Sequence, residues 1–159
     1  MAFQVKSKHL LFKAKFEAAE SLETNLYYGD SKGTVYLARM VVSDTMFSIE
    51  PQCEAKLGKK KIDRLSILNI TKQILCLSSG KLILLNPISL TKLKVLHEDV
   101  TAFAVNEFDS IAIAIGKKIH LHIYNPDKND FSPHPHSKEI KTLENIIKLG
   151  NIPHNLSMD

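Results

Sequence analysis

His120 and His122 stand two residues apart, so on a β-strand both imidazoles leave the same face, a spacing that a bound metal can use. A structural metal site generally takes about four ligands. No Cys, His or carboxylate partner is set beside this pair, and the expected reading is two solvent-facing histidines. His134 and His136, in SPHPHS, repeat the spacing inside a proline-rich segment, where metal capture is equally weak. Cys53 and Cys76 form no CxxC pair and read as free thiols, so no metal ligands are assigned.

Other chemistry has less to stand on. Gly80-Lys81 is not followed by Ser or Thr and lacks the earlier glycine of a phosphate-binding loop. No GxSxG elbow occurs, and the scattered Ser, His and Asp residues show no triad order. The expectation is a non-enzyme with no catalytic residue and no cofactor. Tyr27, Tyr28 and Tyr36, the main aromatic concentration, are expected to pack between structural units with their hydroxyls on backbone partners.

The densest charge is basic: Lys56, Lys59, Lys60, Lys61 and Arg64. Such a stretch can meet anionic lipid headgroups or an acidic protein surface, and its plain alternative is a solvated connector. Nucleic acid is not expected, because the stretch has no neighbouring aromatics on which bases would stack.

The elements that must carry these residues are strands. In QILCLSSGKLILLNPISL, Gln73 to Leu90, two apolar runs flank Ser78-Ser79-Gly80, and Asn86-Pro87 closes the second, which predicts a β-hairpin. Similar units recur at Leu26 to Met40, around Gly29 and Gly33, and at Ile111 to Tyr124, around Gly116. ESLETN reads as a polar connector before the first, and Met46 to Ile49 as a short strand stopped by Pro51. Ile119, Leu121 and Ile123 alternate with His120, His122 and Tyr124, which predicts a strand wetted on one side. Asn125 to His136 reads as a loop, with a fourth strand expected around Ile140 and Leu143. The best helix candidate is Thr142 to Leu149, ended by Gly150.

Turn glycines at 33, 80 and 116 lie at intervals of 47 and 36 residues (80 − 33 and 116 − 80). Four short strands every roughly 40 to 50 residues is the period of a β-propeller blade. The predicted fold class is therefore all-β, a partial β-propeller of about three four-stranded antiparallel blades, at 12–54, 61–97 and 99–143. A β-sandwich or single barrel is the competing pattern. The segment 153–159 looks like the first strand of a further blade, so 1–159 reads as one incomplete propeller domain.

Length and composition fit this. At 159 residues, 44% hydrophobic and 24% charged, the chain suits a single globular domain, and its net charge of +4 permits an anionic partner without demanding one. Its longest apolar runs are about five residues, far short of a bilayer span. The lysine-rich start, MAFQVKSKHLLFKAKF, lacks the apolar core of a secretory signal and is expected to be folded strand. The sequons at Asn69 and Asn155 are accordingly expected to stay unmodified in a cytosolic chain.

These residues also carry a family likeness. AKLGKKKIDRLSILNITKQILCLSSGKLILLNPISLTKL, preceded by LYYGDSKGTVYLARM and followed by VTAFAVNEFDSIAIAIGKKIHLHIY, resembles the citron-homology (CNH) domain. The version it resembles is that of the TGF-beta-receptor-associated and vacuolar-sorting subunits of the HOPS and CORVET tethers, over roughly 22–143. The resemblance implies the N-terminal part of a propeller of a non-enzymatic vesicle-tethering subunit, acting in transport from endosome to vacuole or lysosome. Implied partners are other tethering-complex subunits and Rab-type small GTPases, with a cytoplasmic location, peripheral on endosomal or vacuolar membranes. Two alternatives stay open: a regulatory CNH module that binds a small GTPase in a signalling protein, and a peripheral membrane binder using Lys56 to Arg64.

Overall fold

The computed structural model describes residues 4–6, 14–133 and 140–141, and among them it contains strands and turns but no helix. In chain order the strands are β1 (Gln4–Lys6), β2 (Phe16–Leu22), β3 (Asn25–Asp30), β4 (Thr34–Val42), β5 (Met46–Lys56), β6 (Ile62–Ile67) and β7 (Ile74–Ser78). They continue with β8 (Lys81–Leu85), β9 (Lys92–His97), β10 (Ala102–Val105), β11 (Ile111–Ile115), β12 (Lys118–Asn125), β13 (Asp130–Pro133) and β14 (Ile140–Lys141). Three separate sheets result, ordered β1-β5-β4-β3-β2, β6-β7-β8-β9 and β10-β11-β12-β13, with β14 also pairing β12. Each is built on a four-stranded antiparallel meander, the pattern of a propeller blade and not of one closed barrel.

The β7–β8 hairpin explains why the apolar runs become strands. Ile74 pairs with Leu85 and Ser78 with Lys81, and the two residues between have left-handed backbones, Ser79 at φ +53° and Gly80 at φ +74°. A turn with positive φ at both central positions matches the natural twist of the strands it joins. All of β7 is buried, as is most of β8. A strand apolar at every position needs cover on both faces, which an isolated hairpin lacks.

The described residues fall into two compact units, one drawn from Met1–Ile67 and Gln73–Leu96, the other from Leu68–Lys72 and His97–Asp159. The core of the first lies between its two sheets: Tyr27, Val35 and Leu37 meet Ile62, Leu65, Ile74, Cys76, Ile83 and Leu85. Burying each larger side chain contributes about 2 kcal/mol. Gly29 permits this approach, because a Cβ there would lie 2.4 Å from an Ile62 methyl. The second unit is built on β10, β11 and β12, where Phe103, Ile111 and Ile113 are fully buried.

Several sequence expectations need correction. Pro51 does not stop a strand; β5 runs through it to Lys56, because among the described residues only Met46 to Ser48 have a neighbour on that side, in parallel β1. Pro51 thus sits on an open edge, next to the register shift opposite Leu37 and Ala38 where Gln52 bulges, and an edge or bulge is where a strand tolerates proline. ESLETN is no connector: β2 continues to Leu22, leaving Glu23-Thr24 as the turn, with Glu23 at φ +53°. Asp130–Pro133 forms β13 inside the supposed loop 125–136, pairing with β12 from Asn125 to His122. Ile140 adds β14 against Ile119, as its fourth-strand assignment implies. The helix candidate Thr142–Leu149 and the strand expected at 153–159 lie outside the described residues, as do His134 and His136.

Candidate interaction surface

The basic residues from Lys56 to Arg64 are all exposed. Lys56 ends β5, Lys59, Lys60 and Lys61 lie on the connector, and Arg64 stands in β6 beyond its bulge at Asp63. The connector folds against the β3–β4 turn. Leu57 donates its backbone N–H to the Gly33 carbonyl at 2.8 Å, and the Lys56 ammonium donates to the Lys32 carbonyl at 2.9 Å. Gly33, at φ +87°, is the residue that allows this closeness: a Cβ there would stand 2.7 Å from the carbonyl oxygens of both Gly58 and Lys60.

Two more segments join at the same end of the first unit. Ser31 donates its N–H to the Lys15 carbonyl at 2.7 Å, which brings Lys15 to the turn that carries Lys32. The Ser78 hydroxyl lies 3.0 Å from the Lys61 carbonyl and 3.3 Å from that of Lys60, tying the connector to the β7–β8 turn, where Lys81 faces Ser78. Lysines 15, 32, 56, 59, 60, 61 and 81 therefore converge from four places in the sequence, and each is exposed. Sequence reasoning finds four of them. Lys32 and Lys81 carry a weak signal, each beside the glycine of a predicted hairpin.

Two of the acids nearby are already committed. Asp63 pairs with Lys61 at 3.7 Å. Asp30 is buried and accepts the N–H of Lys32 and of Thr34 at 2.9 Å on one oxygen, and the Tyr36 hydroxyl at 2.8 Å on the other. Burial acts to raise the Asp30 carboxyl, but the Thr34, Tyr36 and Lys32 hydrogen bonds, helped by the Lys56 charge, outweigh it and hold the group below its ordinary range. The turn bearing Lys32 is thus fixed from inside by a carboxylate.

The other sequence candidates sort differently. Tyr27 packs between the first two sheets as expected, its hydroxyl donating to the Pro87 carbonyl at 2.8 Å. Tyr28 and Tyr36 instead gather around Phe16 within the first sheet, at ring distances of 5.0 and 6.2 Å, and the Tyr36 hydroxyl takes a carboxylate, not a backbone partner. The histidine expectation also changes: His122 is buried, His120 half-buried, and both rings pack on His97, at 6.1 and 5.1 Å. Among the described residues no group of three or more His, Cys, Asp or Glu is placed to hold a metal. Sequence reasoning misses Asp109, fully buried, whose carboxylate accepts the N–H groups of Asn69, Ile70 and Thr71.

The sequence matches no family model and no curated protein. Among solved structures, the chain is similar to the C-terminal WD40 domain of Sif2, with a TM-score of 0.60 at 14% identity over 85% of this chain and 40% of that one. It is also similar to the β-propeller domain of Myceliophteria thermophila Cps50 (Swd1), with a TM-score of 0.53 at 13% identity over 76% of this chain and 43% of that one. The chain spans less than half the length of either. At such identity the likeness is one of fold, and the fold is all-β, a partial β-propeller.

Proposed function

We propose that the chain is a non-enzymatic protein-interaction module of a vesicle-tethering subunit, of the citron-homology type, acting between endosome and vacuole or lysosome. The observation that carries the reading is where the family-like blocks fall. LYYGD lies on β3, ILCLSSGKLILL spans β7 and β8 with their turn, FAV lies on β10, and IAIAIGKKIHLHIYN spans β11 and β12. Blocks that resemble one family are thus the repeated strands of a propeller, and propellers offer broad rigid surfaces that suit partner binding. In this reading the chain is cytoplasmic, sits peripherally on endosomal or vacuolar membranes, and engages tethering-complex subunits and a Rab-type GTPase.

The test is capture of purified Rab-type GTPases on the immobilised chain, each loaded with a GTP analogue or with GDP. The expected result is retention of at least one GTPase of the endosomal or vacuolar set in a nucleotide-dependent way. Failure of the whole set, together with no co-purification of tether subunits from cells, removes the trafficking reading.

A further inference from the structure

We propose that the lysine-bearing end of the first unit is a docking surface for an acidic protein segment, an extended stretch rich in Asp and Glu. The inference rests on reading the chain as an interaction module and names the chemistry of one partner. Its basis is convergence: Lys15, Lys32, Lys56, Lys59, Lys60, Lys61 and Lys81 arrive from four segments that hydrogen bonds to backbone carbonyls tie together. A single basic run is commonly a solvated connector, but that run joined by lysines from three other segments makes a predominantly basic surface. The neighbouring acids offset only part of it: Asp63 pairs with Lys61, Glu54 is exposed two residues before Lys56, and the buried Asp30 carboxylate is bonded to the turn itself.

The surface is also preorganised. Gly33 lies against the carbonyls of Gly58 and Lys60, Leu57 is bonded to Gly33, and Ser78 holds the connector. The backbones that carry the ammonium groups are therefore set before a partner arrives, and less ordering entropy is lost on binding.

Three classes of anionic partner compete, and the residues favour protein. Stable seating on a membrane usually needs an apolar anchor besides charge. None of the large exposed hydrophobic side chains of the described residues (Val41, Val42, Ile70, Ile88, Leu93 and Phe108) belongs to the lysine-bearing segments. Single-stranded nucleic acid needs aromatic platforms. The tyrosine next to the turn, Tyr36, is bonded to Asp30 and packed on Phe16. Carboxylates on an extended peptide need neither, and can meet successive lysines one by one.

The experiment measures binding of the full chain to a fluorescent Glu/Asp-alternating peptide, to phosphatidylcholine vesicles with and without phosphatidylserine, and to a single-stranded oligonucleotide. The peptide is expected to bind best, and its affinity to fall about tenfold from low to moderately high salt as the charges are screened. The triple variant Lys32→Glu, Lys59→Glu, Lys60→Glu is expected to lose about tenfold or more in affinity, because like charges now face the peptide. A control triple of equal charge change elsewhere, Lys72→Glu, Lys92→Glu, Lys128→Glu, is expected to stay within about twofold. Both triples are checked for an unchanged melt, and a single Lys59→Glu variant, on the exposed connector, replaces the first if it fails to fold. No peptide binding, an equal loss in the control, or tighter binding to vesicles or oligonucleotide overturns the proposal. Peptide binding without GTPase or tether capture removes the trafficking reading alone, and the reverse outcome removes this surface alone.

Discussion

The Asp109 carboxylate, on the turn between β10 and β11, accepts the backbone N–H of Ile70 at 3.0 Å. It also accepts those of Asn69 at 2.6 Å and Thr71 at 3.0 Å, while the Asn69 side-chain amide donates to the Glu107 carbonyl at 3.0 Å. One fully buried acid therefore ties together two loops that lie about 40 residues apart in the chain, and is the acceptor of three backbone N–H groups of one of them.

Replacing Asp109 by Ala leaves those three N–H groups without an acceptor. Hydrogen bonds to a charged group contribute about 1.5 to 3 kcal/mol each, and part of that is recovered because Asn69 and Ile70 are exposed and water can reach their donors. After relaxation, Asp109→Ala is expected to destabilise by about 3 kcal/mol, and Asp109→Asn by less, because an amide keeps one accepting oxygen. Urea unfolding checks both. A loss under about 0.5 kcal/mol for the alanine variant would show that the carboxylate is dispensable.

The glycines offer a graded comparison. Gly33, at φ +87°, has no room for a Cβ beneath the Gly58 and Lys60 carbonyls, Gly116, at φ +58°, has open space, and Gly58 has open space and no positive φ. Alanine at Gly33 is expected to cost more than about 2 kcal/mol from strain and clash together, and at Gly116 about 1 kcal/mol from strain alone. At Gly58 it is expected to be neutral or stabilising by a few tenths of a kcal/mol, through the unfolded chain. Thermal melts of the three variants should fall in that order. An equal cost at Gly33 and Gly116 would refute the close packing of connector on turn.

How much of this was readable in the residues depends on how local each signal is. The β7–β8 hairpin is legible because apolar runs and turn residues are adjacent in sequence. Pro51 misleads because its tolerance depends on β5 lacking a neighbour there among the described residues, a fact of pairing order and not of composition. Asp130–Pro133 looks like loop because Asp, Ser and Pro are poor strand formers, yet β12 supplies a free edge for it. His122 alternates with apolar residues as a wetted position would, but packing on His97 buries it. Asp109 is invisible and the added lysines are faint for a common reason: an acid or lysine in a turn reads as solvated until its distant neighbours are known.

The two thiols should differ in reactivity. Cys76, fully buried in β7, has its thiol pushed up to about 12 by burial, with the Asp63 charge adding to the effect. Cys53 is half-buried at the β5 bulge beside Pro51 and Glu54, its thiol raised by burial and placed 3.4 Å from the Ile88 carbonyl. Because the thiolate is the reactive form, iodoacetamide on the native chain is expected to label Cys53 first and Cys76 only when β7 opens. Mass spectrometry of a time course reads this directly. Equal rates in the native chain would mean that the central strand is not the stable core it is taken to be.

The Asp30–Tyr36 bond couples stability to pH at both ends. The folded Asp30 carboxyl lies below its ordinary value of 3.8, so its contribution is present above that pH and is lost as pH falls through the folded value. The Tyr36 hydroxyl is raised above its ordinary 10.0, first by burial and then by its bond to the Asp30 carboxylate, so its contribution is present below pH 10.0 and is lost as pH rises through the folded value. Tyr36→Phe keeps the two N–H bonds of Asp30, so it is expected to cost about 1 kcal/mol at neutral pH, flatten the alkaline limb and leave most of the acid limb. Asp30→Asn removes the charge that both limbs share, so it should cost about 2 kcal/mol at neutral pH, flatten the acid limb and lessen the alkaline one, where the burial of Tyr36 remains. Denaturant midpoints measured across pH for the two variants decide the matter. If Asp30→Asn leaves the acid limb as steep as in the parent, another carboxylate governs it, and the β3–β4 turn is not fixed by its own acid.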